Sequence, residues 1–125
     1  MAKSRVLKDE AIDRPQRLEV VAGHLGAGTD ANERLLYDRL RLGIMSALSV
    51  SEKMSFAELK QLLSASDGNL STHARRLEQA GYITCNKRFS QRLPRTEYRL
   101  TKKGRGAFSR YLQHMEALIH AARND

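Results

Sequence analysis

Half of the lysine and arginine residues of this 125-residue chain lie between residues 66 and 110. This basic segment contains eleven basic and three acidic residues, so its net charge of +8 equals that of the whole chain. Guanidinium and ammonium groups bind phosphate oxygens, whereas a protein that only needs to be soluble distributes its charges more evenly. The concentration of positive charge therefore predicts that the segment binds a polyanion.

Residues 67–80, inside the basic segment, have the pattern of a helix with one apolar and one polar face. Leu70, Ala74 and Leu77 recur at helical spacing and form the inner stripe. Asparagine and arginine lie on the outer face, and these side chains read adenine and guanine in the major groove of DNA. An ordinary solvated face is the alternative. We predict contacts to base edges or phosphates by Asn69, Ser71, Thr72, His73, Arg75 and Arg76, with Ser71 and His73 on the flanks of the face.

Residues 83–100 are predicted to form a basic β-hairpin, because apolar and polar residues alternate along 82–89 and again along 95–100. Residues 90–94 are the expected connecting loop. A hairpin cannot bury several cations, so it presents them to solvent or to phosphates, and its tip can enter the minor groove. A purely solvated hairpin is the alternative. The predicted contacts are Lys87, Arg88, Gln91, Arg92 and Arg95.

Two helices are predicted to support residues 67–80. Residues 30–49 carry leucine or isoleucine every four residues, which indicates one helix. Ser55 and Glu58 form a capping box at the start of a short helix, which is expected to bury Phe56, Leu59, Leu62 and Leu63. A turn of about four residues then leads into residues 67–80, and this arrangement is a helix-turn-helix whose second helix enters the major groove.

Thr101 is expected to cap a long last helix of residues 101–122. Residues 1–30 are predicted to be an arm, partly flexible or helical, because Pro15 and three glycines break any long helix. Residues 31–125 then form one domain, of fold class α+β, mainly α: a winged helix-turn-helix with a C-terminal dimerisation helix. The dimer seam has heptad-like spacing. It is predicted to consist of Phe108, Tyr111, Leu112, Met115, Leu118 and Ile119.

Residues 67–73, 76–78 and 80–83 resemble the recognition helix of small winged-helix regulators related to the MarR and ArsR families. Residues 39–45 are similar to the first helix of that group. The resemblance covers residues 33–112 and implies a dimeric transcriptional regulator that binds double-stranded DNA, with one recognition helix per half-site. The second strand of the hairpin and the following helix start resemble the group at Pro94, Thr96, Tyr98, Leu100, Thr101 and Gly104.

Other functions are less compatible with the sequence. It has no Gly-rich phosphate loop, nucleophile elbow or His-Glu metal motif, so we predict no enzyme activity, no cofactor and no metal site. Cys85, the single cysteine, is expected to be a small buried residue, with a redox-sensing thiol as the alternative. No apolar run approaches the length of a membrane span, so a cytoplasmic location without a membrane partner is predicted. The alternative function is a winged helix that binds RNA or a protein partner, and the sequence identifies no small-molecule effector.

Overall fold

The structure, a computed structural model, describes residues 2–26 and 31–123, and for residues 2–13, Glu33 and Ser90 it describes the backbone alone. The chain forms two compact units, one of residues 31–109 and the other of residues 1–30 together with 110–125. Ten elements follow one another within the described residues. They are α1 (Ala2–Leu25), α2 (Ala31–Arg34), a 3-10 turn (Leu35–Tyr37), α3 (Arg39–Val50), β1 (Met54–Ser55), α4 (Phe56–Leu63), α5 (Asp67–Gln79), β2 (Ile83–Ser90), β3 (Leu93–Leu100) and α6 (Lys102–Arg123).

The predicted single helix of residues 30–49 is wrong, because the helical conformation is interrupted at Asp38. Asp38 has an extended backbone, and its side chain accepts hydrogen bonds from the backbone N–H groups of Leu40 (2.9 Å) and Arg41 (3.0 Å). These bonds satisfy donors that have no partner in the first turn of α3, so Asp38 is the N-cap of that helix. The predicted first residue, Asp30, lies outside the described residues.

The helix-turn-helix forms where the sequence predicts it. The Ser55 hydroxyl accepts from the Glu58 N–H (3.1 Å) and the Glu58 carboxylate accepts from the Ser55 N–H (2.8 Å), which confirms the capping box of α4. Ser66 caps α5 through the N–H of Asn69 at 3.2 Å. The prediction for Leu62 is wrong, since it is 59% exposed. At about 100° per residue it lies about 60° from Leu59, which faces the core.

The hydrophobic core of the unit of residues 31–109 is built mainly from α3, α4 and α5. The inner stripe of α5, Leu70, Ala74 and Leu77, is buried as predicted, and this anchors the helix with its polar face outward. Leucine, isoleucine and methionine side chains of this size each contribute about 1.5–3 kcal/mol when they leave water. The largest fully buried side chains of the described residues are Leu36, Ile44, Met45, Leu48, Leu59, Leu70, Leu77 and Ile83.

A three-stranded antiparallel sheet in the order β1-β3-β2 contains the predicted hairpin, which is the wing of the fold. The turn of the wing is shorter than predicted: Ser90 pairs with Leu93, and only Gln91 and Arg92 lie between the strands. Both turn residues have positive φ, 53° and 67°, as the mirror-image turns of two-residue hairpins require. Pro94 therefore lies within β3, opposite Phe89 of β2. Strand β1 pairs only with Glu97 and Tyr98 of β3, so no strand lies beside Pro94 on that side and its missing N–H costs no hydrogen bond.

The entry into α6 packs tightly against the end of α5. Thr101 caps α6 as predicted, since its hydroxyl accepts from the N–H of Gly104 at 2.9 Å. A Cβ atom on Gly104 would lie 2.0 Å from the carbonyl oxygen of Tyr82, so the approach of the two backbones requires glycine. Gly81 ends the α5 region with φ of +81°, in the left-handed region that favours glycine.

In the other unit, α1 is one helix that contains Pro15 and Gly23, so the expectation that these residues break a long helix is wrong. A proline removes one helical hydrogen bond and strains one turn, and contacts to another helix can offset that cost. Such contacts are present: Arg17 Nε donates to the carbonyl oxygen of Ala121 at 2.5 Å, and the rings of His24 and His114 lie 4.3 Å apart. Among the described helices, none has both the length and the apolar character needed to cross a bilayer.

Candidate nucleic-acid interface

Helix α5 presents the polar face that the sequence predicts for a recognition helix. Asn69, Thr72, Arg75 and Arg76 are exposed. Because the opposite stripe is buried and Ser66 fixes the first turn, the direction of this face is set by the core. The helix therefore offers amide, hydroxyl and guanidinium groups, the donors and acceptors that match base edges and phosphates. The two flank residues of the predicted set, Ser71 and His73, are half-buried.

His73 does more than flank the exposed face, because its ring forms a hydrogen bond with Arg41 at the start of α3. Its Nδ1 lies 2.9 Å from Nη1 of Arg41, and Arg41 is only 9% exposed. Nε of Arg41 also donates to the carbonyl oxygen of Leu35 at 2.5 Å. The carboxylate of Asp38 lies 3.6 Å from the same His73 nitrogen. Arginine, histidine and aspartate thus connect the start of α3 to the recognition helix.

The pKa of Asp38 reflects this environment. Partial burial raises it, but the hydrogen bonds from the backbone N–H groups of Arg41 and Leu40 and the positive charge of Arg41 together outweigh the burial, so the pKa lies below its usual value. The sequence analysis missed the role of Arg41. A signal was present, since Arg41 occupies the same helical stripe as Ile44, Met45 and Leu48, where a charged residue is buried only if it has partners.

The wing presents all five predicted residues to solvent: Lys87, Arg88, Gln91, Arg92 and Arg95 are exposed. Two of the arginines already have carboxylate partners. Glu97, whose side chain is 9% exposed, lies 3.4 Å from Arg88 and 3.3 Å from Arg95. Arg95 also lies 3.6 Å from Glu58 at the start of α4. The pairing with Arg88 follows from the diagonal position of Glu97 across the hairpin, which the strand register decides.

Lys87 and Arg92 differ from the other three wing cations, Arg88, Arg95 and Arg99, which pair with carboxylates. Within the part of the chain that the structure describes, neither makes an ion pair. Arg92 also occupies the turn itself, in a backbone conformation that non-glycine residues rarely adopt. Non-glycine residues in such conformations are often found at functional positions, where the surrounding structure holds them. Lys87 and Arg92 are therefore the wing cations available to a phosphate backbone.

Cys85 lies half-buried on β2, directly opposite Tyr98 of β3. Burial is the main cause that raises the pKa of Tyr98 to about 12, and its interaction with the Cys85 thiol adds to the effect. Both residues belong to the interior of the wing sheet rather than to its charged surface. Among the described residues, no three histidine, cysteine, aspartate or glutamate side chains are grouped so as to hold a metal ion.

The fold and this surface define a winged-helix DNA-binding protein, and comparisons with known proteins agree. Residues 40–119 match the family model of the winged helix DNA-binding domain, and the chain belongs to this family. An uncharacterised protein of Methanocaldococcus jannaschii is 34% identical over 73 residues, which cover 58% of this chain and 79% of that protein. A transcriptional regulator homologue from Pyrococcus horikoshii is 32% identical, with 71% of this chain and 88% of that one covered and a TM-score of 0.67.

The fold extends to a more distant regulator. The crystal structure of MarR aligns with a TM-score of 0.65 over 93% of this chain and 78% of that one, at 19% identity, which is a likeness of fold. The predicted fold class and the resemblance to small winged-helix regulators are confirmed. Of these proteins, the one from Pyrococcus horikoshii is a transcriptional regulator homologue.

Proposed function

We propose that this protein is a transcriptional regulator that binds double-stranded DNA sequence-specifically as a homodimer. The observation that carries the proposal is the combination of a family-matched recognition helix with an exposed row of Asn69, Thr72, Arg75 and Arg76 on that helix. A helix fits the major groove, where each base pair shows a distinct pattern of donors and acceptors. We assign direct base reading to this row, and we assign Ser71, at its flank, a contact with the DNA backbone.

We assign a different role to the wing. Its two cations without ion pairs among the described residues, Lys87 and Arg92, suit phosphate oxygens, and these contacts add affinity without reading sequence. Phe89 and Leu93, which are 77% and 68% exposed, lie beside the turn. Exposed apolar side chains next to cations are typical of segments that enter the minor groove.

The test is to select duplexes from a random-sequence DNA library with the wild-type protein and to measure their affinity by fluorescence anisotropy. We expect one consensus to emerge and to bind about 1,000-fold or more tighter than an unrelated duplex at the same salt concentration. Enrichment without a consensus would contradict sequence-specific binding.

One observation favours an RNA-binding alternative. Phe89 is an exposed aromatic ring beside cations, and unpaired RNA bases stack on such rings. Single-stranded and duplex RNA of the selected sequence should therefore be included as competitors. The DNA proposal expects RNA to compete no better than an unrelated DNA duplex, and RNA that competes as well as the selected duplex would favour the alternative.

The proposed dimer interface lies in the unit formed by α1 and the second half of α6. Phe108 of the predicted seam is buried within its own protomer, and Tyr111, Met115 and Leu118 are half-buried. Leu112 and Ile119 are 43% and 46% exposed and lie seven residues apart on one face of the helix, which suits contact with a second copy. The same unit has three exposed apolar residues on α1: Leu18, Val21 and Leu25.

Replacement of both Leu112 and Ile119 by glutamate tests the interface. We expect monomers in sedimentation and most of the affinity for the selected duplex to be lost, because each protomer then holds one half-site alone. Gln113→Glu, at an exposed neighbouring position, is the matched control and should leave the dimer intact. A double variant that remains dimeric would contradict the assignment.

The predicted division into an arm of residues 1–30 and a domain of residues 31–125 stays a prediction. We favour a modified division, in which residues 31–109 bind DNA and α1 with the second half of α6 dimerises, because these are the two compact units of the chain. We also propose a cytoplasmic location, where a regulator of this family meets DNA.

A further inference from the structure

Asp38, Arg41 and His73 form a clasp between the start of α3 and the recognition helix. Arg41 donates through Nε to the carbonyl oxygen of Leu35 and reaches Nδ1 of His73 with Nη1. Asp38 caps α3 and lies 3.6 Å from the same imidazole nitrogen. Arg41 is almost completely buried, so its guanidinium depends on these partners.

The clasp imposes a protonation state on His73. A guanidinium group has donors only and does not lose its proton in proteins. The 2.9 Å contact is therefore a hydrogen bond only if Nδ1 of His73 accepts it, and Nδ1 accepts only in the neutral ring with the proton on Nε2. A protonated ring would place an N–H against the N–H of Arg41.

We propose that Arg41 and neutral His73 are positioning residues that fix the fine position of the recognition helix for base reading, within the direction that its buried stripe sets. The inference rests on the proposed function, because it concerns how that helix reads DNA. His73 lies one residue after Thr72 and three residues before Arg76, so the hydrogen bond to its ring ties the segment that carries both exposed side chains to the start of α3. Hydrogen bonds to base edges require side chains to be held within about 0.5 Å of their place.

Among the described residues, the ionisable groups that hydrogen-bond or ion-pair with the ring of His73 are Arg41 and Asp38, both at the start of α3. Arg76 follows one turn along α5, and β2, which also packs against α5, contributes no ion pair or hydrogen bond to His73 among these residues. An imidazolium ring loses the bond from Arg41 and is attracted to Asp38. The clasp in its observed form therefore belongs to the neutral ring.

The test compares His73→Ala with His73→Asn in the dimeric, full-length protein. The side-chain oxygen of asparagine can take the position of Nδ1 and accept from Arg41, but it does not titrate. The probes are the duplex selected by the wild-type protein and its single-base variants at the positions that it prefers most strongly. The ratio of their dissociation constants cancels the affinity for phosphates, which all duplexes share.

At about pH 8 we expect His73→Ala to reduce this ratio about tenfold, the range of a lost hydrogen bond to a charged group, and His73→Asn to retain most of it. A merely structural His73 would lower the melting temperature on replacement and leave the ratio unchanged.

The outcomes separate this inference from the proposed function. If the wild type shows no sequence preference at any pH, the proposed function itself fails. Equal ratios for wild type, His73→Ala and His73→Asn would overturn the inference, because the clasp then does not position the helix. Arg41→Lys, which lacks the two separate nitrogens that reach Leu35 and His73, should reproduce the loss seen in His73→Ala.

Discussion

The tip of the wing allows the charge of Arg92 to be separated from the conformation of its backbone. In the proposed dimer, Arg92→Ala removes one phosphate contact from each protomer. Each contact contributes about 0.9 to the slope of log affinity against log salt, so the slope should become shallower by about 1.8. The loss of affinity should therefore be about twelvefold larger at about 50 mM salt than at about 200 mM salt.

Arg92→Gly removes the same charge but is expected to stabilise the folded protein. The φ of +67° costs a non-glycine residue about 1–2 kcal/mol, and glycine avoids this cost. We expect Arg92→Gly to raise the melting temperature by about 4 °C. It should nevertheless lose as much DNA affinity as Arg92→Ala, because both variants lack the guanidinium group.

The assay is a set of anisotropy titrations at several salt concentrations, with thermal unfolding of each variant. Arg92→Lys should keep the wild-type slope, and Arg123→Ala, which removes an exposed charge near the end of α6, should change the slope little. A wild-type slope for Arg92→Ala would refute contact between the wing tip and phosphates. Wild-type affinity for Arg92→Gly, together with weak binding by Arg92→Ala, would show that turn conformation matters and charge does not.

Three further predictions concern the recognition helix, the sheet and the entry into α6. Arg76→Ala should cost about 1–3 kcal/mol on the selected duplex and flatten the preference over one single-base variant in binding titrations, whereas equal loss on all duplexes would assign Arg76 to the phosphates. Burial raises the pKa of Tyr98 from 10 to about 12, so the free energy of unfolding should fall by about 2–3 kcal/mol as the pH rises between those values. Urea titrations of Tyr98→Phe should lack this part of the fall. A pH dependence parallel to that of the wild type would contradict the burial of the hydroxyl. Gly104→Ala should lower the free energy of unfolding by at least about 2 kcal/mol, because the new methyl group meets the carbonyl oxygen of Tyr82. An unchanged midpoint of urea unfolding would show that the two backbones can move apart.

Much of the DNA-binding unit could be predicted because its signals are local. The capping box at Ser55 and the cap at Ser66 bond groups three residues apart, and Gly81 ends the region of α5 through its own φ. The inner stripe of α5 follows from helical spacing alone, and with it the direction of the outer face. The order of helices, turn and hairpin was then enough to predict the fold class.

Other features depend on partners that are distant in the sequence. Arg41 is buried because it meets His73, 32 residues away, and α1 continues through Pro15 with a hydrogen bond from Arg17 to Ala121, 104 residues away. Local patterns carry no information about such pairs, since propensity and periodicity describe a residue only with its neighbours on the same element.

The sequence by itself determined where the recognition helix and the wing begin, which face of the helix is polar and where the positive charge lies. Only the tertiary structure decided which charges remain available. It pairs Arg88 and Arg95 with Glu97 and leaves Lys87 and Arg92 without ion pairs among the described residues. It also hydrogen-bonds the ring of His73 to the buried Arg41. The physical reason is that the partners of a charged group are set by distance in space, which packing brings about, whereas capping and amphipathic spacing operate within a few residues of chain.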